Sequence, residues 1–182
     1  MYYASSNYFC QESTSAQPNF NNSVTLLKKY GVDDGLILEL GCGTGNISEA
    51  LRKKGYDMIG IDNSAEMLSV AIEKSMEVED ESLPQSLYLC QDMREFELYG
   101  TVRAIVSICD SMNYITEPDD LYEVFRLANN YLDPEGVFIF DMNTVYKHEK
   151  ILADNVFVKE NDDVFCVWQN RYDKRKRSTE IM

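Results

Sequence analysis

The chain has 182 residues, one domain's worth of polypeptide and enough to bury a single core. Hydrophobic residues at 45% and charged residues at 26% exclude a wholly disordered, collagenous or coiled-coil chain. Seventeen Lys and Arg against thirty-one Asp and Glu leave a net charge of −14, a field that repels phosphate backbones and anionic membranes, so neither a nucleic-acid nor a membrane partner is expected. No run approaches the ~18 apolar residues of a spanning helix, and the first residues offer no basic segment followed by an apolar one, so the expected compartment is the cytoplasm. Cys10, Cys42, Cys90, Cys109 and Cys166 are far apart and His148 is the one histidine, so no metal site is expected. Cys42, Cys90 and Cys109 lie in or just after apolar runs and read as small buried hydrophobes.

Residues 1–22, rich in Ser, Asn, Gln and Tyr, read as a loose arm. From Ser23 the pattern SVTLLKKY, closed by Gly31, reads as a short helix with a glycine cap. LILEL (36–40) is a short apolar run between Gly35 and Gly41, followed by helical spacing from Ile47 to Lys54. The unit recurs: 57–61 then 65–78, 87–90 then a linker, 104–109 then 121–132, and 137–142 then 145–152. Short apolar runs alternating with amphipathic helices are the sequence form of parallel βαβ units, whose strands are buried on both faces. The expected fold is a doubly wound, mainly parallel α/β sheet over residues 23–153, and acidic 77–86 reads as a solvated loop. Beyond it VFVKE (156–160), a turn NDD and VFCVWQNRY (164–172) alternate with period two and predict an antiparallel β-hairpin within 154–182. KRKR (174–177) reads as a solvated turn or an edge gatekeeper.

The strongest local signal is ELGCGTGN (39–46) at the end of the first predicted strand. Gly41, Gly43 and Gly45 remove side chains where the backbone turns sharply and a ligand approaches. The spacing is G-x-G-x-G rather than the dinucleotide fingerprint G-x-G-x-x-G, and Glu39 is an acid that repels a pyrophosphate but can hold an ammonium or organise hydrogen bonds around one. GIDNSAEML places Asp62 at the second strand tip, where its two oxygens can accept both hydroxyls of a ribose. Asp62 also reads as a helix N-cap, since Asp, Asn and Ser all favour that position, and the two readings are compatible. Asn63 and Met67 border the same place. CQDMREF puts Asp92 and Met93 after the third strand, suited to an adenine amino group and ring. SICDSMNYI puts Asp110, Ser111, Met112 and Asn113 just outside the fourth, where ligands of open α/β sheets bind.

With an acid or polar group ending four successive predicted strands, residues 24–142 resemble the class I S-adenosylmethionine-dependent methyltransferases, of the small-molecule type with a methyltransferase-25-like domain. In that resemblance ELGCGTGN is the glycine-rich loop, GID carries the ribose acid, QDM the adenine-side acid, and ICDSMNYI is the fourth-strand motif. It implies S-adenosylmethionine as cofactor and a small-molecule methyl acceptor as partner. Glu39, Gly41, Cys42, Gly43 and Gly45 would shape the methionine end, Asp62 and Asn63 with Met67 the ribose side, Asp92 and Met93 the adenine side, and Asp110, Ser111 and Asn113 the region near the sulfonium, with Asp110 the candidate catalytic residue. Complete members have seven strands; this chain supplies five and then a hairpin that resembles an inserted lid, so the sequence reads as truncated after Met182, and the usual longer first helix is replaced by the arm. Competing readings are a nicotinamide dehydrogenase, against which the glycine spacing and Glu39 speak, and a non-catalytic cofactor-binding or partner-stabilising module.

Overall fold

The computed structural model describes residues 16–77, 83–160 and 165–182. The first fifteen residues of the expected arm, Cys10 among them, residues 78–82 of the acidic loop 77–86 and the NDD turn therefore lie outside the described residues.

The first of two compact units runs to Asp141. Its elements in chain order are α1 (Ala16–Lys29), β1 (Leu36–Leu40), α2 (Asn46–Arg52), β2 (Asp57–Asp62), α3 (Ala65–Met76), β3 (Leu87–Cys90), β4 (Val102–Ser107), a 3-10 turn (Ser111–Tyr114), α4 (Pro118–Tyr131) and β5 (Leu132–Phe140). The five strands form one sheet in the order β3-β2-β1-β4-β5, every pairing parallel. This is the expected doubly wound core. β1 lies at its centre and is buried on both faces, which is why LILEL carries no polar alternation.

Two apolar cores result from the strand period of two. Ile37 faces Leu27, Ile47, Leu51 and Met58 on the side covered by α1 and α2. Leu38 and Leu40 face Ile61, Ile105, Val124 and Leu127 on the side covered by α4. Truncating a fully buried Leu such as Leu38 to Ala costs about 2–5 kcal/mol by lost transfer energy and cavity formation.

Helix ends follow local chemistry. α1 stops in a Schellman arrangement, the Val32 amide donating to the Leu27 carbonyl at 2.9 Å and the Gly31 amide to Lys28 at 3.1 Å. Its start at Ala16 lies inside the span read as a loose arm, because AQPNFNN has too few apolar residues to show a period. α4 begins with Pro118 and has Asp119 and Asp120 in its first turn, both favourable at the positive end of the helix dipole. β5 begins earlier than the apolar run predicts. Leu132 already pairs with Val102, and the register then shifts before Val137 joins Ala104, with Glu135 at φ 64 in the intervening part of the strand.

The second unit starts at Met142. It contains a π-helix (Lys147–Leu152) and the strands β6 (Val156–Glu160), β7 (Phe165–Asp173) and β8 (Ser178–Ile181), which form an antiparallel sheet in the order β6-β7-β8. The expected hairpin is thus a three-stranded sheet of its own: β8 follows the basic turn, and its short, mixed sequence STEI gave no alternation to read. The helix expected over 145–152 forms, with Lys147–Leu152 wound as a π-helix. It belongs with these strands rather than with the first unit because His148 Nδ1 meets Thr179 Oγ1 at 2.7 Å and Asn170 Nδ2 donates to the Leu152 carbonyl at 3.3 Å. Among the described residues, no helix is long and apolar enough to cross a membrane.

Candidate functional site

The parallel sheet brings the carboxyl ends of β1 to β4 together, and a cleft of about 150 Å³ opens there. Its lining takes Gly41 from the loop after β1, Ile61, Asp62 and Asn63 from the β2 tip, Gln91 to Arg94 from the β3 tip, and Ser111, Tyr114 and Ile115 from beyond β4. Six residues singled out from the sequence therefore share one cleft: Gly41, Asp62, Asn63, Asp92, Met93 and Ser111. Glu39, Cys42, Gly43, Gly45, Met67, Asp110 and Asn113 are not part of that lining.

The glycine loop is held by internal hydrogen bonds. The Gly41 and Cys42 amides donate to the Ile61 carbonyl at 2.9 and 3.0 Å, and the Gly45 amide to the Cys42 carbonyl at 2.9 Å. The Gly43 amide donates to Asp62 Oδ2 at 2.9 Å. Two positions need glycine. Gly41 has φ 72, and a Cβ there would stand 2.7 Å from Ser111 Oγ. Gly45 has φ 73, and a Cβ would stand 2.9 Å from Ala71 Cβ. Both demand the left-handed region and leave no room for a side chain.

Asp62 is 8% exposed. Its second oxygen, Oδ1, accepts the Ser64 amide at 2.9 Å. The N-cap of α3 is Ser64, whose hydroxyl accepts the Met67 amide, so Asp62 is not the cap. It is a brace between the β2 tip and the glycine loop, and each carboxylate oxygen keeps a further acceptor position.

Beneath the loop lies a buried polar layer. Glu39, 3% exposed, accepts the Ser48 hydroxyl from α2. Tyr88 donates to Glu49 Oε1 at 2.9 Å, and Glu49 pairs with Arg52 at 2.8 Å. Burial, reinforced by the Glu49 charge, pushes the Tyr88 phenol up, so it stays a donor. Burial likewise pushes the Cys42 thiol up, helped by Glu39 and Asp62. Lys74 of α3 ties down the loop by donating to Asn46 Oδ1 at 2.7 Å and Thr44 Oγ1 at 3.2 Å. Of the cysteines read as buried, Cys42 is buried, Cys109 is half-buried and Cys90 is exposed; β3 is an edge strand, so only one of its sides finds a neighbour.

At the β3 tip sequence reasoning missed Arg94. Its Nε donates to Asp92 Oδ1 at 2.9 Å, its Nη2 to Asp92 Oδ2 at 2.6 Å and its Nη1 to Asp120 Oδ2 at 2.9 Å. The Arg94 hydrogen bonds hold the Asp92 carboxyl below the usual carboxylate range, against an opposing effect of partial burial. The Arg94 amide also donates to Asp92 Oδ1, which leaves Asp92 one free acceptor position, on Oδ2.

The β4 tip is strained. Cys109 and Asp110, neither of them glycine, have φ 63 and 66. Asp141, just past β5, accepts the Cys109 amide on Oδ2 at 3.1 Å and the Asp110 amide on Oδ1 at 2.9 Å. Ser111 Oγ then reaches the Ile108 carbonyl at 3.0 Å and the Gly41 carbonyl at 3.3 Å. Asp141 was also missed, although the rule that found the other acids, a carboxylate ending a strand, reaches it at the fifth.

A family model described as "Methyltransferase domain" matches residues 37–136. The chain belongs to the methyltransferase-domain family. The protein named "Putative methyltransferase YqeM" in Bacillus subtilis (strain 168) is 39% identical over 139 residues, 76% of this chain and 54% of the relative. A dTDP-3-amino-3,4,6-trideoxy-alpha-D-glucopyranose N,N-dimethyltransferase of Streptomyces venezuelae is 30% identical over 105 residues, 58% of this chain and 41% of the relative. The chain thus spans about half the length of the curated relatives it matches. A crystal structure of an S-adenosylmethionine-dependent methyltransferase from Clostridium acetobutylicum ATCC 824 superposes with TM-score 0.78 at 31% identity, covering 92% of this chain and 68% of that one. The methyltransferase domain shares the class I S-adenosylmethionine-dependent fold, as the sequence motifs implied.

Proposed function

We propose that this methyltransferase domain binds S-adenosylmethionine in the cleft at the ends of β1 to β4 and directs its methyl group to a small-molecule acceptor. The observation that carries the reading is the state of the glycine loop. The amides of Gly41, Cys42, Gly43 and Gly45 all donate within the chain, and Gly43 donates to a carboxylate. A dinucleotide needs such amides for its pyrophosphate. Here they are engaged, with an anion standing among them, which suits a ligand without phosphates and with a positive centre.

The cleft fits that group. Asp62 keeps an acceptor position on each oxygen for a pair of ribose hydroxyls. Asp92 offers its remaining Oδ2 position to an exocyclic amino group, and Met93 and Ile115 are apolar walls for a flat ring. Gly41 lets the backbone approach the ligand where a methyl group would collide with Ser111. Glu39 acts from below, organising the start of α2 through Ser48. When bound, S-adenosylmethionine supplies a methyl already activated by its sulfonium. The domain's part is to hold the acceptor in line, and Asp110 is the candidate group to receive a proton where the acceptor must lose one. A small molecule is the acceptor class favoured by the similarity to the sugar N,N-dimethyltransferase.

Titration calorimetry with S-adenosylhomocysteine, S-adenosylmethionine and NAD tests the cofactor: heats with the first two and none with NAD are expected. Comparable NAD affinity, or no heat with either methyl-cycle ligand from folded protein, would overturn the reading. A screen of small amines, alcohols and sugar nucleotides with labelled donor then tests transfer; donor binding with no labelled product from any of them leaves the cofactor-binding module as the better description.

A further inference from the structure

We propose that Asp141 is a positioning residue for this cleft: its carboxylate holds the β4 tip in a double left-handed bend that delivers Ser111 to the glycine loop. The inference deepens the reading of the cleft as the S-adenosylmethionine site and rests on it. Left-handed conformations are ordinarily left to glycine, and two consecutive non-glycine residues adopt them only where the surroundings over-determine the backbone. At Cys109 and Asp110 the constraint is visible. A carboxylate has two acceptor oxygens, and those of Asp141 take one amide each.

Asp141 is itself fixed by the sheet, since its amide continues the β4–β5 pairing by donating to the Ser107 carbonyl at 3.2 Å. Asp141, one residue past Phe140, the register partner of Ser107, thereby reaches forward to residues 109 and 110 beyond the neighbouring strand. The chain of contacts then runs onward: the Asp110 carbonyl accepts the Asn113 amide at 2.9 Å, and Ser111 bridges the Ile108 and Gly41 carbonyls. The end of β5, which does not line the cleft, is linked in this way to the loop that does.

The clamp is separable from the core. Ile105, Val106 and Ile108 are buried by apolar contacts on either face of the sheet and need no carboxylate. Losing the clamp therefore loosens the tip and leaves the strand in place. The sequence is consistent with this: an unsupported left-handed bend would call for glycine at 109 or 110, and the chain has Cys and Asp there.

The test uses the full chain, Asp141→Asn, and Asp141→Asn combined with Cys109→Gly. The Asn variant replaces one acceptor oxygen with a group that cannot accept. Without ligand, hydrogen exchange of the 109 and 110 amides should speed at least tenfold while the β4 amides keep their protection. Affinity for S-adenosylhomocysteine should fall about tenfold, and Cys109→Gly should recover at least threefold, because glycine adopts the bend without the clamp. Unchanged exchange at 109 and 110, unchanged affinity, or a loss that glycine does not restore would overturn the proposal; so would exchange that rises throughout β4, which would mark a general structural role. If the unmodified chain gives no heat with S-adenosylhomocysteine, the cofactor reading falls, and the exchange measurement alone decides the clamp.

Discussion

Asp62 and Asp92 end adjacent parallel strands and line one cleft, yet the chain uses them in different ways. Asp62 is buried, and its partners are two backbone amides, one of them in the glycine loop. Asp92 is more open, and its main partner is the guanidinium of Arg94, which also reaches Asp120 at the start of α4. Backbone amides do not move without the fold, so the β2 side is a rigid wall. A half-exposed Arg is held by solvent-screened attraction, so the β3 side is adjustable. The same sequence signal, an acid at a strand tip, thus yields a structural brace at one position and a tethered acceptor at the next.

The largest effect should come from the rigid wall. Gly41→Ala introduces a Cβ 2.7 Å from Ser111 Oγ at a left-handed residue. Conformational cost and overpacking together should lower stability by about 2–4 kcal/mol and abolish the calorimetric signal with S-adenosylhomocysteine. Near-normal binding in this variant would mean the loop is not the close wall described. Next is Asp62→Asn, which deprives one buried amide of its acceptor. Stability should drop by about 1–3 kcal/mol in denaturant melts, and affinity by at least roughly tenfold. If Asp62 served only as a ribose acceptor, this change would affect binding more than folding. The two amide bonds predict comparable losses, and a binding defect with an unchanged melt would restore the simpler view.

The smallest effect lies on the adjustable side. Asp92 titrates lower in the folded chain than in the unfolded one because Arg94 stabilises its charged form. The resulting stabilisation is complete above the unfolded value near about 3.9 and is lost as pH falls through the folded value. Arg94→Gln should cost about 0.2–1 kcal/mol at pH 7, and the gap between the two melting curves should be smaller at a pH below the unfolded carboxylate value. A gap of equal size at both pH values would show that Arg94 acts through packing instead.

The parallel core was legible because its central strands are short apolar runs buried on both faces, as LILEL and AIVSI show. The glycine loop was legible because left-handed turns select glycine. Arg94 escaped notice because an exposed Arg in a polar stretch resembles any solvated charge until its fork is seen around Asp92. Asp141 escaped for a different reason. Its partners are backbone amides some thirty residues earlier in the chain, a relation that appears only once β4 and β5 lie side by side. β8 was hidden by its length and mixed composition, and the first half of α1 by its polarity.

The contrast between the thiols of Cys42 and Cys90 also has a use at the bench. Thiolate is the form that reacts with electrophiles, and Cys42, enclosed under the loop with its acidity suppressed, is protected on both counts. Cys90 stands exposed at the end of the edge strand, one residue before Gln91 of the cleft lining. A maleimide dye should therefore modify Cys90 well before Cys42, carrying a fluorescent reporter on the adjustable wall while the glycine loop stays chemically untouched.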